Sequence, residues 1–462
     1  TLLSPGVRNL QGGINLGFGR SQNYQISNIG INGSVSGFTA FLMDGAIDTS
    51  TGYGDVSVAP LVESIQEFKV MTNFVPPEYG LTSGGVVATV TKNGTNSLHG
   101  SVYDYLRNNA FDARNTFAPS VPPFRYNQFG VAAGGPVEIP KLYNGRDHTF
   151  FFFNYEGSRR HATSNPITSV PTDAWRSGNF ADLRDSTGRL IPLFDPATTA
   201  SNPNGSGFIR QPFPNNMIPA NRIDRVAKNV LPFFPEPNQT PNNPFTQSLN
   251  FLSVQPLTTD INQYHARVDH SFGEANRLFA RWSYNLEKAN RPDDPTSWPN
   301  PVLYARYDNI QNQEALLSDV HTFSPTLLNE ARLSLMRQDF PFTQGSFNQG
   351  WPQKLGLPDS VPGTLFPLFN IDGYSTLGGI GTTGVRYSTA YQFFDVVTKV
   401  QGNHSLKFGV DTRVFRYANF QVSSPSGSYT FPASLTGDPQ IPTGTGYGLA
   451  TFLLGSVGSG SL

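Results

Sequence analysis

Apolar and polar residues alternate strictly in pairs of segments joined by tight turns. A period of two sends successive side chains to opposite faces of an extended strand, so each pair reads as a β-hairpin with one apolar and one polar face. The clearest pair runs from Asn262 to Lys288. Its first arm sets Tyr264, Ala266 and Val268 against Gln263, His265, Arg267 and Asp269. The second arm, beyond a turn at 273–276, sets Leu278, Ala280, Trp282 and Tyr284 against Arg281, Ser283 and Asn285. Another pair turns at Gly402 and Asn403, with Leu406, Phe408, Val410 and Val414 opposite Lys407, Asp411 and Arg413. A third flanks Ser324 and Pro325, where Ala331, Leu333 and Leu335 oppose Glu330, Arg332 and Ser334.

Segments of about ten residues, at about 3.3 Å each and tilted by roughly 40°, cover the roughly 25 Å apolar band of an outer membrane. The connections alternate in length. Short ones lie near 139–146, 273–276, 324–328 and 402–404, and long ones near 108–125, 160–261, 289–311, 340–390 and 418–446. Outer-membrane barrels have short periplasmic turns and long external loops, whereas a sandwich or propeller has no reason to alternate. One hairpin alone equally suits a soluble antiparallel sheet with one wet face. About ten strands repeating the pattern select an all-β, transmembrane antiparallel β-barrel, with a first strand near 95–107 that leaves from the periplasmic side.

Composition agrees. Charged residues are 14% of the 462, against about a quarter in ordinary globular chains, while Gly 45 and Pro 37 are abundant and Phe 36 with Tyr 18 supply much of the apolar content. Lys+Arg 32 against Asp+Glu 33 gives a net charge of -1, which provides no field for a nucleic acid. With Cys 0 there is no disulfide, thiolate metal site or cysteine nucleophile. The apolar run Phe150 to Phe153 is far shorter than the roughly 18 residues of a membrane-crossing helix. TLLSPGVRNL has no basic and apolar leader pattern, so the sequence reads as an internal piece. Neither a nucleophile elbow, a phosphate-binding loop nor a zinc-protease helix motif occurs. His265 and His270 fall on opposite strand faces and cannot chelate together. No catalytic residue, metal site or cofactor is expected.

Residues 1–94 differ from the remainder. They are rich in Gly, Ser and Asn, with short strand-like pieces and no alternating hairpins, and read as a small separate domain ahead of a barrel unit at 95–462. The 160–261 stretch holds Pro/Asn clusters and one helix-like island with Ile223, Val226 and Val230 on a face. A structureless loop of about 100 residues is improbable in a folded unit, so an external lid or binding loop is expected there.

The run from Val62 to Asn108 carries five elements in fixed order, including Gln66 to Val70, Glu78 to Gly80, Gly84 to Val87 and Thr91 to Asn96. It resembles the end of the plug and the first barrel strand of TonB-dependent outer-membrane transporters, in particular the Oar-like branch. The resemblance continues through Arg125 to Gly130, Phe150 to Arg159, Ile218 to Asp224 and Gly402 to Asp411, covering most of the chain. It implies a barrel of about 22 strands around a plug, of which this chain holds the later plug and the first strands. The coupling box, leader and immunoglobulin-like domain typical of the branch, and the later strands, would lie outside this sequence. One departure is that Lys69-Val70-Met71-Thr72 stands where many members carry Arg-Gly-Pro, which puts in doubt a plug latch through that arginine.

Several site residues follow. Glu67, Glu78, Tyr79, Gly80, Gly84, Gly85, Thr91 and Lys92 form the plug motif, its glycines permitting positive φ and close backbone approach. Asp44 and Gly45 form a turn, and the loop after it, with Asp48, Tyr53 and Asp55, faces the outside in the resembling transporters. Tyr53 offers a stacking face and the two carboxylates accept hydrogen bonds or bind a hard cation. Arg159 and Arg160 stand at the base of the long segment and add positive charge. The function implied is ligand-gated uptake of a large scarce solute, such as a siderophore, glycan or peptide, with a TonB-type inner-membrane complex and outer-membrane lipid as partners, in a Gram-negative-type bacterium. The alternative is an outer-membrane adhesin or surface-organising barrel that binds through its long loops. A fragment of this kind should form a curved open sheet around the plug segment rather than a closed barrel, because unpaired edges remain.

Overall fold

The computed structural model describes residues 4–10, 29–35, 37–52, 54–73, 75–80, 82–114, 116, 120–292, 305–378 and 382–462. Near the N-terminus, β1 (Ala40–Met43) and β2 (Ala46–Ile47) form a hairpin. With β3 (Ile65–Met71) and β4 (Val86–Thr91) they make a four-stranded sheet of order β2-β1-β4-β3. Asp44 and Gly45 form the two-residue loop of this hairpin, with φ of +51° and +78°. Positive φ at both positions is what such a loop needs, and Asp-Gly supplies it at low strain.

Nine strands follow as one antiparallel meander. They are β5 (His99–Asn108), β6 (Phe124–Pro136), β7 (Thr149–Ser164), β8 (Gln255–Ser271), β9 (Asn276–Pro292), β10 (Ala305–Ser324), β11 (Leu327–Gln344), β12 (Thr382–Gln401) and β13 (His404–Ser423). Among the described residues the count is nine, in line with about ten, and residues 424–462 add no further long strand but hold a helix and short pairings. The strands are also longer than the alternation suggests. From β7 onward they run 16 to 20 residues, which at about 3.3 Å each and a tilt near 40° rises about 40 to 50 Å, well beyond the roughly 25 Å apolar band. Above the band the outward face turns largely polar, so the alternation stops marking the strand while the backbone ladder continues.

The sheet is open. Among the described residues β5 and β13 each pair on one side only, and β13 is exposed along nearly its whole length. Register fixes the two faces. Asn154, His265, Ser283 and Glu314 lie directly opposite one another on successive strands, all buried on the inner face against the N-terminal unit. The outward face carries Phe151, Phe153, Val268, Ala280, Leu317, Leu333 and Phe393. A row of tyrosines borders this apolar band on its long-connection side: Tyr155 and Tyr264 have ring centroids 5.0 Å apart, and Tyr264 and Tyr284 6.3 Å. Their hydroxyls reach the polar row beyond, Tyr155 donating to Asn262 at 3.0 Å and Tyr284 to Gln311 at 3.3 Å. Amphipathic rings at the boundary between apolar and polar bands are what a membrane interface selects.

The three long connections at this end, 165–254, 345–381 and 424–462, build a common core. Trp175, Phe180 and Leu193 from the first pack with Phe366, Phe369 and Leu377 from the second and Phe431, Leu449 and Phe452 from the third. Strands from the second and third connections pair in parallel, Leu368–Ile371 on Ser428–Phe431. The helix-like island becomes α1 (Arg225–Val230), capped by Asp224, whose carboxylate accepts from the Val226 and Ala227 amides. Another helix, α2 (Gly448–Leu453), is buried entirely. Arg210 crosses between connections to donate to the carbonyls of Ser434, Leu435 and Gly437. The connections therefore form one folded cap rather than separate loops.

Candidate functional site

The interior site begins at the β1–β2 turn. Asp44 projects to the inner face of the wall, where its Oδ2 lies 2.9 Å from Arg281 Nε and its Oδ1 3.4 Å from Arg267 Nη1. Arg281 is completely buried and also pairs with Glu314 at 2.6 Å, while Arg267 pairs with Asp269 at 2.7 Å. Thr91 donates its amide and hydroxyl to the two carboxylate oxygens of Asp44, each at 2.8 Å. The turn is thus held from two sides: β4 fixes the carboxylate, and β8 and β9 supply its cations. Where the resemblance leads one to expect an arginine on the N-terminal unit, the ion pairs here place the carboxylate on that unit and the arginines on the wall.

Beyond this turn the segment climbs the inner face. The Ile47 amide donates to Gln392 Oε1 at 2.9 Å and the Thr51 amide to Ser388 Oγ at 3.1 Å. Ser388 is the nearer of the two to Thr382, so the chain moves toward the long-connection end. It then crosses the wall, with Asn312 donating to the Ser57 carbonyl at 2.6 Å and Gln263 to the Ala59 carbonyl at 3.2 Å. An apolar cluster of Ala40, Leu42, Ile47, Met71 and Val86 joins Met336 and Ala390 of the wall, with Tyr79 packed against it.

The expected site residues separate into groups. Tyr53 lies outside the described residues. Asp48 and Asp55 are buried rather than presented to solvent. Asp48 accepts from the Val58 amide at 2.8 Å and Asp55 from Ser50. Burial, then the negative Glu314 nearby, pushes the Asp48 carboxyl well above its usual range, and burial likewise raises Asp55. Both therefore serve the folding of this segment. Arg159 and Arg160, adjacent in sequence, sit on opposite faces. Arg159 points outward, donating to Asn262 Oδ1 and the Ile261 carbonyl, each at 2.7 Å. Arg160 points inward, its guanidinium 5.8 Å from the Phe124 ring.

In the motif, Glu78 pairs with Lys407 of β13 at 2.8 Å and Lys92 with Glu63 at 3.8 Å. Glu67 is exposed. Gly85 has φ of +116°, and a side chain on Gly84 would strike Ser34 and the Phe38 carbonyl. Gly80 has open space around it and no positive φ, so close approach does not explain it. Thr91, in contrast, acts directly on Asp44. Alternation on a single strand misses the inward cluster that register assembles from Arg107, Phe124, Tyr126 and Arg160, since these residues are far apart in the chain. It also misses Arg306 and Arg386, whose guanidinium groups lie 4.6 Å and 5.0 Å from the fully buried Phe342 ring.

The chain is 28% identical over 149 residues to the TonB-dependent transporter Oar of Myxococcus xanthus, which covers 30% of this chain and 14% of that protein. Its fold is similar to the outer membrane transporter YddB from Escherichia coli, with a TM-score of 0.50 and 12% identity over 93% of this chain and 47% of the other. A mutant of the ferric enterobactin receptor from Pseudomonas aeruginosa aligns with a TM-score of 0.37 and 11% identity over 91% of this chain and 59% of the other. The chain thus spans less than half the length of Oar and of YddB. The family model described as Outer membrane beta barrel domain matches residues 90–462, which places the protein in the outer membrane of a Gram-negative bacterium. Open antiparallel sheet, outward apolar band and tyrosine border all agree with that match, and the chain belongs to the outer membrane beta barrel domain family.

Proposed function

We propose that residues 1–94 are the later part of a plug, that 95–462 are the first part of the barrel around it, and that the whole protein performs ligand-gated, TonB-dependent uptake of a large scarce solute such as a siderophore, glycan or peptide. The observation carrying this reading is the buried ion pair between Asp44 and Arg281, which holds a small N-terminal sheet inside the curved wall. Displacing that sheet has to separate the pair and the contacts around it. The outer membrane holds no ion gradient, so the work comes from the inner membrane, where each charge crossing 100 mV supplies about 2.3 kcal/mol. That requirement implies an inner-membrane energy complex as partner.

The test uses the full-length protein in cells grown on candidate solutes, with and without the inner-membrane complex and with the coupling box deleted. Uptake that stops in both backgrounds supports the reading. Surface binding that persists with the box deleted, with no uptake in any background, would instead favour the adhesin role, to which the folded cap lends a broad external surface.

A further inference from the structure

The outward face of the wall has a recess among its apolar residues. Ala280 of β9 and Ala315 of β10 are small, and with Leu317, Leu333, Leu335 and Phe393 they line a groove of about 540 Å³. Trp282, directly opposite Ala315, stands beside it and is 43% exposed. The outward row that holds Tyr155, Tyr264 and Tyr284 continues across the wall through Gln313, Arg337, Thr389 and Arg416. On β11 and β13 arginines thus take the place that tyrosines hold on β7 to β9. The next outward row toward the short turns is Ala315, Leu335, Tyr391 and Val414, which enters the groove, and the next toward the long connections begins with Gln311 and Asp339. The two arginines therefore stand at the border where the apolar wall gives way to a polar one.

Each guanidinium lies against a ring, Arg337 5.3 Å from Tyr387 and Arg416 5.7 Å from Tyr391. Strands about 4.8 Å apart put the two arginine backbones about 10 Å from one another, so both side chains reach one group between them. Thr389 lies there, faces outward and is yet only 6% exposed, because the flanking side chains close over it. Asp339 takes Arg337 Nε at 2.9 Å and leaves its terminal nitrogens, while Arg416 has no ion pair among the described residues. A guanidinium is matched by the oxygens of a phosphate or carboxylate. A soluble anion would leave the groove empty, and a neutral lipid would leave the arginines unmet. A lipid with a phosphate headgroup answers both. Long connections are external in outer-membrane barrels, so such a lipid sits in the external leaflet.

We infer that this groove, with Arg337 and Arg416 at its external end, is a binding site for a phosphate-bearing lipid, its phosphate on the two arginines and an acyl chain over Ala280 and Ala315.

The experiment uses the full-length protein in phosphatidylcholine vesicles, with brominated phosphatidic acid or brominated phosphatidylcholine as the probe and quenching of Trp282 as the readout. Trp282→Phe supplies the background from the other tryptophans. Phosphatidic acid should be enriched beside Trp282 at least about fivefold over phosphatidylcholine, and Arg337→Gln with Arg416→Gln should bring that ratio to about one. Lys288→Gln removes an exposed cation on the same outward face but away from the groove, and should leave the ratio unchanged. Ala315→Phe keeps both arginines, fills the recess and should also lower the ratio. Unaltered tryptophan emission in unbrominated vesicles shows that the double variant is folded. Equal enrichment in the wild type and the double variant overturns the inference. Loss of the preference on adding excess inorganic phosphate overturns it too, since the site would then serve a free anion. So does a preference that Ala315→Phe leaves intact, because a charged border alone would account for it. Uptake plays no part in the readout, so the outcome is independent of the function proposed above.

Discussion

Asp44 Oδ2 stands 2.9 Å from Arg281 Nε, and the two residues come from opposite partners of the interior contact: a two-residue turn of the small N-terminal sheet and the middle of a wall strand. The turn conformation and the ion pair depend on the same residue. Asp44 tolerates the positive φ of the loop and supplies the charge that Arg281 requires.

Removing one partner should therefore be costly. Arg281→Met leaves Glu314 buried without its cation and Asp44 with Arg267 alone, and a loss of about 3 to 5 kcal/mol is expected. Asp44→Asn keeps the turn, because asparagine also accepts positive φ, so its effect isolates the charge. Hydrogen exchange should rise at residues 40–47 in Asp44→Asn while the wall strands keep their protection. Unchanged exchange there would show that the apolar cluster alone docks the sheet.

The apolar band makes a depth-dependent prediction. Ala280 faces outward among Leu317, Leu333 and Phe393, and Ala280→Arg should cost roughly 2 to 4 kcal/mol in a lipid refolding assay. Asn419→Arg, on the exposed inner side of β13, should cost much less. Equal costs would remove the face assignment.

Burial of Asp48 gives a pH dependence with a definite sign. Its folded pKa is raised above the ordinary value of 3.8, so the folded state holds a proton that the unfolded chain has released. This contribution is full below pH 3.8 and is lost as pH rises through the higher folded value. Stability of the N-terminal unit should fall with rising pH above 3.8, and Asp48→Asn should flatten the trend while raising stability at neutral pH. Thermal unfolding followed across pH in both forms measures it, and parallel curves would contradict the assignment.

The cap should loosen as one unit. Phe369 is buried against Phe366, Tyr429, Phe431 and Phe452, which come from two connections, in a core shared with the third. Phe369→Ala should cost about 3 to 5 kcal/mol and raise proteolysis in all three connections together. Cleavage confined to 345–381 would mean that the connections fold independently.

Alternation in the sequence was sufficient to identify the wall, because a period of two is a local property of one strand facing lipid on one side. Leu278, Ala280, Trp282 and Tyr284 point where that pattern places them. The inner face was less legible. Polarity alone assigns Ser283 to a wet lumen, yet it is fully buried against His265 under the N-terminal unit. Arg159 and Arg160 look equivalent as a charge pair, and the strand parity that separates them to opposite faces needs the register of β7 to be known. The long segment could be recognised as functional by its length, but its core partners come from two connections more than 100 residues away.

The strand faces, the positions of the tight turns, the resemblance carried by the motif from Gln66 to Asn96 and the membrane-barrel class are all legible along the chain. These follow from neighbours in the chain, through side-chain alternation and turn-forming residues. Only the tertiary structure decided which cation Asp44 meets, which arginine faces inward, and that three loops make one cap. Those depend on strand register and on packing between distant segments, which no local periodicity encodes.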